Sequence, residues 1–167
     1  MKNSNQPLIT IFIFISFFCF QLISCTTPLE LPETDPNNDG LILPGGFGAL
    51  VVVDSIGKAR HLAVNNNGDI YVKLSYAKGK GSNVALRDTT GDGKADIVTH
   101  FGDYKDEGSL ANGMRIHDGY LYYSAARVVY RNKLVPDKLV PDSPMEIILT
   151  DDHEHGIHWH ITKPMSF

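Results

Sequence analysis

The sequence has little cysteine and no excess of basic residues. It contains 2 cysteines among 167 residues, and its 15 lysines and arginines are outnumbered by 19 aspartates and glutamates. Such a chain cannot build a disulfide framework. A net charge of -4 also gives no basic surface for a phosphate backbone. The composition therefore argues against a disulfide-stabilised module and against nucleic acid as a partner.

An uncharged apolar run at residues 8–23 follows Lys2. Its length and position are typical of the hydrophobic region of a signal peptide. It ends in Leu-Ile-Ser-Cys25, which resembles the lipobox of bacterial lipoproteins. We therefore predict a lipoprotein signal peptide at 1–24, lipidation of Cys25, and a lipid anchor in the cell envelope, at the outer membrane because Thr26 gives no inner-membrane retention signal. A secretory peptide that happens to contain cysteine is the alternative.

The next stretch, residues 25–40, is rich in Pro, Thr, Asn and Asp. It has little to bury, so we interpret it as a flexible tether between the lipid and a folded part at 41–167. That length suits one ordinary domain.

Helix patterns are nearly absent from 41–167, and strand patterns dominate. The β-branched run 49–53 favours a strand, and two hairpins are predicted, one around the Asn67-Gly68 turn and one around Asp118-Gly119. The two hairpins lie about 50 residues apart, and one more such step reaches Phe167. A strand-turn-strand unit at this period is typical of the four-stranded blades of a β-propeller. A single β-sandwich with two similar hairpins is the alternative.

Two blades and the start of a third cannot close a propeller ring, which needs at least about four. We therefore expect the sequence to be the N-terminal part of a longer protein.

The first candidate site is an acidic loop. Asp88, Asp92 and Asp96 occupy positions one, five and nine of a calcium-loop spacing, with Gly93 at the sharp turn. Thr99 stands where the last acidic ligand would be. The loop is either a weak calcium site or an Asp/Gly turn satisfied by its own backbone.

The second candidate site is a histidine cluster near residue 160. Histidine is the commonest metal ligand and the commonest acid-base catalyst near neutral pH. Metal ligands, solvent-exposed histidines and a catalytic base are all compatible with the spacing. The cluster consists of His153, His155, His158 and His160. Further candidates, for a ligand at the axial mouth of a propeller, are Arg60, His61, Arg115, Tyr123 and Arg127.

The motifs follow one another in a fixed order: 57–64 (GKARHLAV), 67–72 (NGDIYV), 84–96 (VALRDTTGDGKAD), 117–122 (HDGYLY) and 129–131 (VYR). This succession resembles the opening of the L-sorbosone and glucose dehydrogenase family. The resemblance implies an all-β, partial six-bladed β-propeller of about two blades plus the start of a third, with pyrroloquinoline quinone (PQQ) as cofactor and calcium as a possible one.

The resemblance also implies a site residue and partners. In that family a histidine shortly before the inner strand of the third blade is the general base, and this pattern selects His160, with His158 as second choice. The implied substrate is a sugar or other small molecule, oxidised at a hydroxyl or hydrated aldehyde. A cytochrome c or a quinone would accept the electrons. The alternatives are a non-enzymatic surface propeller that binds glycan or protein, and a histidine-rich metal-binding lipoprotein.

Overall fold

The computed structural model describes residues 31–78, 81–102, 113–151 and 165–167. In these ranges the secondary structure is almost entirely β, apart from one short turn at Pro36–Gly40, so the predicted all-β fold is confirmed. The strands are β1 (Ala59–Val64), β2 (Ile70–Lys78), β3 (Gly81–Arg87), β4 (Ile97–Phe101), β5 (Met114–His117), β6 (Tyr120–Ser124), β7 (Val128–Lys133) and β8 (Glu146–Thr150).

The strands form two four-stranded sheets, each an antiparallel meander in the order β1-β2-β3-β4 or β5-β6-β7-β8. Both predicted hairpins are present. In the second, His117 pairs with Tyr120, and Asp118 and Gly119 adopt φ values of 44° and 75°. Positive φ at both central residues is what the type I′ turn of a two-residue hairpin requires. In the first, Gly68 takes the left-handed conformation in a longer turn.

The main hydrophobic core lies between the two sheets. Side chains of β2, β3 and β4 meet side chains of β5, β6 and β7, and the Tyr71 and Phe101 rings stand edge to face at 6.2 Å. The two innermost strands, β1 and β5, also contact each other. Four-stranded meanders packed face to face are the blades of a propeller, and the predicted partial β-propeller is confirmed in this form. The core residues are Tyr71, Ala85, Phe101, Met114, Leu121, Tyr123, Ala125 and Tyr130.

The opposite face of the first sheet, here called its outer face, is covered by the chain that precedes β1. Val53 and Ile56 pack against the buried outer-face side chains of β2 and β3. The backbone N–H of Ala95 donates to the Val52 carbonyl oxygen (2.8 Å), and the His100 ring lies 3.2 Å from the Ile56 carbonyl oxygen. We call residues 32–56 the strap.

Two features of the strap differ from the sequence predictions. No strand is assigned to 49–53, because side chains take the place of a ladder partner: the Val51 N–H donates to the Asp35 carboxylate and the Ala49 N–H to Asn38. In addition, the compact unit begins at Pro32, within the predicted tether. Lys94 pairs with Asp35 at 2.9 Å, and this contact holds the strap to the loop before β4.

The last described residues, 165–167, lie against the second sheet without forming a strand. Arg115 donates from Nε to the Met165 carbonyl oxygen (3.1 Å). The Phe167 ring stacks on His117 with 4.4 Å between ring centres and lies 4.8 Å from Tyr122. These residues, at which the sequence predicted the start of a third blade, therefore lie against the second sheet.

Candidate functional site

The strands of each sheet begin and end along two opposite borders of the sheet, and we use the word edge for these borders rather than for the outermost strands. Because neighbouring strands are antiparallel, the hairpin turns share one edge with the β3–β4 and β7–β8 connections, and we call this the turn edge. At the other edge β1 and β5 begin and β4 and β8 end, and we call this the exit edge. The turn edges of the two sheets lie on the same side, since Arg87 donates to the Asp137 carbonyl oxygen and Tyr71 to that of Leu139.

The histidines that the sequence selected lie outside the described residues. This holds for His160, for the second choice His158, and for Cys25, the predicted lipidation site. The chain leaves β8 through Asp151, whose N–H donates to the Arg127 carbonyl oxygen at 2.7 Å. The histidine-rich stretch thus follows directly in sequence from the exit edge.

The acidic loop lies at the turn edge, away from the exit edge. The Asp88 carboxylate accepts the backbone N–H groups of Gly91 and Gly93, both at 2.7 Å. The Asp96 carboxylate accepts the N–H of Thr89 at 2.7 Å. These bonds favour the charged form, so they lower the pKa of Asp88, mainly through Gly91, and the pKa of Asp96, mainly through Thr89.

This geometry is that of an Asp/Gly turn satisfied by its own backbone. Asp92 follows the same pattern, accepting the N–H of Lys94 at 2.9 Å. Among the residues that the structure describes, no three His, Cys, Asp or Glu side chains converge as metal ligands. Calcium binding by Asp88, Asp92 and Asp96 stays a prediction, and it would require carboxylate oxygens to exchange N–H donors for the ion.

An ion pair between a buried aspartate and a partly exposed arginine lies at the turn edge and was not foreseen from the sequence. Asp69, which is only 2% exposed, accepts two bonds of 2.7 Å from Arg87, one from Nε and one from Nη2. Arg87 thereby lowers the pKa of the Asp69 carboxyl. Asn67 adds an amide donor at 2.8 Å. The pair joins the end of β3 to the first hairpin, so its role is structural.

The other candidates differ in their surroundings. Tyr123 is fully buried and donates to the Asn132 amide oxygen at 2.5 Å, and burial raises the pKa of its hydroxyl. It is therefore a core residue. Arg127 is exposed in the β6–β7 turn, and Arg115 binds Met165. Arg60 and His61 lie on β1, at a β-bulge of the innermost strand.

The pairing across β1 and β2 defines that bulge. Ala59 pairs with Leu74 and His61 with Lys73, so two residue steps on β1 oppose one step on β2. Arg60 is the extra residue. Bulges of this kind re-aim a side chain and are common beside active sites. An open cleft at this point is lined by Ala59, Arg60, His61, Leu62 and Val72.

Comparisons with known proteins add support for the fold. No protein-family model matches the sequence, and no curated protein matches it. The structure is similar to the holo form of the PQQ domain of pyranose dehydrogenase from Coprinopsis cinerea, with a TM-score of 0.53 and 10% sequence identity. The match covers 68% of this chain and 25% of that one. At this identity the likeness shows the fold alone, and the chain spans about a quarter of the matched chain.

Within the described ranges, no helix has the length and hydrophobicity needed to cross a bilayer.

Proposed function

We propose that this chain is the N-terminal part of a PQQ-dependent dehydrogenase of the sorbosone/glucose type. Its substrate would be a sugar or a related small molecule, oxidised at a hydroxyl or a hydrated aldehyde. The observation that carries the proposal is the likeness of the two-bladed fold to a solved holo PQQ domain. The order of sequence motifs, which resembles the same class of enzyme, supports it independently.

The side-chain N–H donors of the innermost strand β1 suit an anionic cofactor. PQQ carries three carboxylates, and propeller ligands gather around the axis that the innermost strands line. β1 contributes Arg60 and His61 and contains no acidic residue. On β5, by contrast, Arg115 already binds the Met165 carbonyl oxygen, and His117 lies 3.3 Å from the Asp118 carboxylate. The acidic loop is unsuited to the same ligand, because it lies at the turn edge and its carboxylates accept the chain's own N–H groups.

PQQ, when bound, supplies a hydride acceptor, so the protein must supply a base and orient the substrate. We assign the base to His160, with His158 as second choice. An imidazole titrates near neutral pH and can take the proton from a substrate hydroxyl as the hydride leaves carbon. Trp159 precedes His160, so a group elsewhere must orient the ring.

The decisive experiment uses the full-length product of the gene, supplied with PQQ and calcium and assayed with an artificial electron acceptor. We expect His160→Ala to lower kcat by about 100-fold or more, because a positioned general base typically contributes at least that factor. His153→Ala is the matched control and should leave kcat unchanged. An unchanged kcat in His160→Ala would exclude His160 as the base. A third variant, His158→Ala, tests the second choice: a drop in kcat confined to it would select His158. A wild type that neither binds PQQ nor reduces the acceptor would refute the dehydrogenase itself.

We further propose that Cys25 anchors the protein in the cell envelope by a lipid and that a cytochrome c or a quinone receives the electrons. The lipobox-like sequence before Cys25 supports the anchor. The substitution Cys25→Ala should move the protein from the membrane fraction to the soluble fraction, as measured by fractionation of cells that express it. An unchanged membrane fraction would contradict lipid anchoring at this residue.

A further inference from the structure

We propose that Arg60 and His61 form a carboxylate-binding site at the bulge of β1. The bulge inserts Arg60 as an extra residue between the positions that pair with Leu74 and Lys73. An extra residue in an innermost strand weakens the ladder locally, and bulges persist where they re-aim a side chain. Here the extra residue is an arginine that lines an open cleft.

Arg60 and His61 are exposed and available. Within the described part of the chain, neither side chain makes a hydrogen bond or an ion pair. Other arginines of the two sheets are engaged: Arg87 binds Asp69, Arg115 binds Met165 and Arg131 binds Glu146. Arg60 thus differs from them in having its planar donors free for a ligand.

The lining of the cleft selects the class of ligand. Ala59, Leu62 and Val72 provide an apolar wall, Arg60 and His61 provide N–H donors, and no acidic residue is among the lining residues. A guanidinium binds a carboxylate through two parallel hydrogen bonds, and an imidazole can donate a third in either tautomer. Lys73, which faces His61 across the ladder, is not assigned to the site because its buried ammonium already donates to the Leu74 carbonyl oxygen.

A carboxylate at this place could belong to either of two molecules. One is the quinone cofactor, and this case rests on the proposed function. The other is an acidic sugar in the substrate position, which does not require PQQ. The two sources share the same chemistry at Arg60, and the choice of probe distinguishes them.

The test is a binding titration on the mature chain, followed by the amide NMR signals of 59–62 and by calorimetry. The probes are PQQ and glucuronate, with glucose as the uncharged counterpart of glucuronate. We expect saturable binding of at least one carboxylate probe, no binding of glucose, and at least about tenfold weaker binding in Arg60→Gln. Arg60→Lys should be intermediate, because it keeps the charge and loses the two-bond geometry.

Arg127→Gln is the matched control, since Arg127 is also exposed but lies in the β6–β7 turn. It should bind like the wild type. Binding of PQQ alone would assign the site to the cofactor. Binding of glucuronate alone would assign it to an acidic sugar in the substrate position, and the dehydrogenase itself would still be decided by the His160→Ala assay. The proposal is overturned if neither probe binds, or if Arg127→Gln weakens binding as much as Arg60→Gln while far-UV circular dichroism shows both variants folded.

Discussion

The two sheets share one topology but differ in what covers their outer faces. On the first sheet, the side chains of Val72, Leu74, Val84 and Leu86 are at most 5% exposed beneath the strap. On the second, the outer face carries Tyr120, Tyr122 and Arg131, whose guanidinium carbon lies 4.3 Å from the Tyr120 ring centre, and Arg131 pairs with Glu146. The Phe167 ring packs against Tyr122 on this face.

This difference shows that topology and cover are encoded separately. Alternating residues and Asn/Asp-Gly turns produce the same meander twice. The covering segment decides the chemistry of the face beneath it, because an apolar strap favours an apolar cluster. A face without such a strap keeps polar groups that pair with one another.

The largest expected effect is the loss of a side chain under the strap. Leu74 is fully buried, so Leu74→Ala should lower the free energy of unfolding by about 2–5 kcal/mol through lost burial and a residual cavity. Leu149→Ala in β8 of the second sheet is the control. Leu149 is 53% exposed, and its truncation should cost less than about 1 kcal/mol. Urea denaturation measures both. Equal losses would mean that the strap does not protect the first sheet in solution.

The next effect concerns the two arginine-carboxylate pairs, one in each sheet. Asp69→Asn leaves Arg87 without its buried carboxylate and should cost about 1–3 kcal/mol. In the control, Glu146→Gln, the carboxylate is about half exposed, and solvent screening should leave the stability nearly unchanged. If Glu146→Gln lowered the stability more than Asp69→Asn, the stronger arginine–carboxylate pair would be the one in the second sheet, contrary to this prediction.

The Asp69–Arg87 pair predicts that the stability of the fold depends on pH. Because Arg87 lowers the pKa of Asp69 in the folded state, the pair stabilises the fold fully above the unfolded-state pKa of about 4. This contribution is lost as the pH falls through the lowered pKa. The stability of the wild type should therefore decline more steeply below about pH 4 than that of Asp69→Asn. Parallel acid-denaturation curves would contradict this assignment.

The repeated hairpins could be predicted from the sequence because their signals are local. Period-two apolar residues and Asn-Gly or Asp-Gly turns specify a hairpin whatever surrounds it. The strap could not be predicted, since the β-branched residues 51–53 have the composition of a strand. Only the fold shows that the Val51 N–H binds the Asp35 carboxylate instead of a neighbouring strand. The Asp69–Arg87 pair and the bulge at Arg60 depend on cross-strand register, which single residues do not reveal. The predicted base, His160, remains untested because it lies outside the described residues.

The smallest expected effect concerns the acidic loop of the first sheet. Its carboxylates already accept N–H donors, so calcium must compete with bonds that hold the turn. At about 1 mM calcium, near the weak end of protein calcium sites, we expect the melting temperature to stay within about 1 °C of its value in EDTA. Magnesium at the same concentration is the control for ionic strength. A rise of several degrees that calcium causes, magnesium does not, and Asp88→Asn abolishes would show that the loop exchanges its backbone donors for the ion. That result would show a metal site at the turn edge of the first sheet. The second sheet would not share it, because in its β7–β8 connection Lys138 is bonded to Asp142.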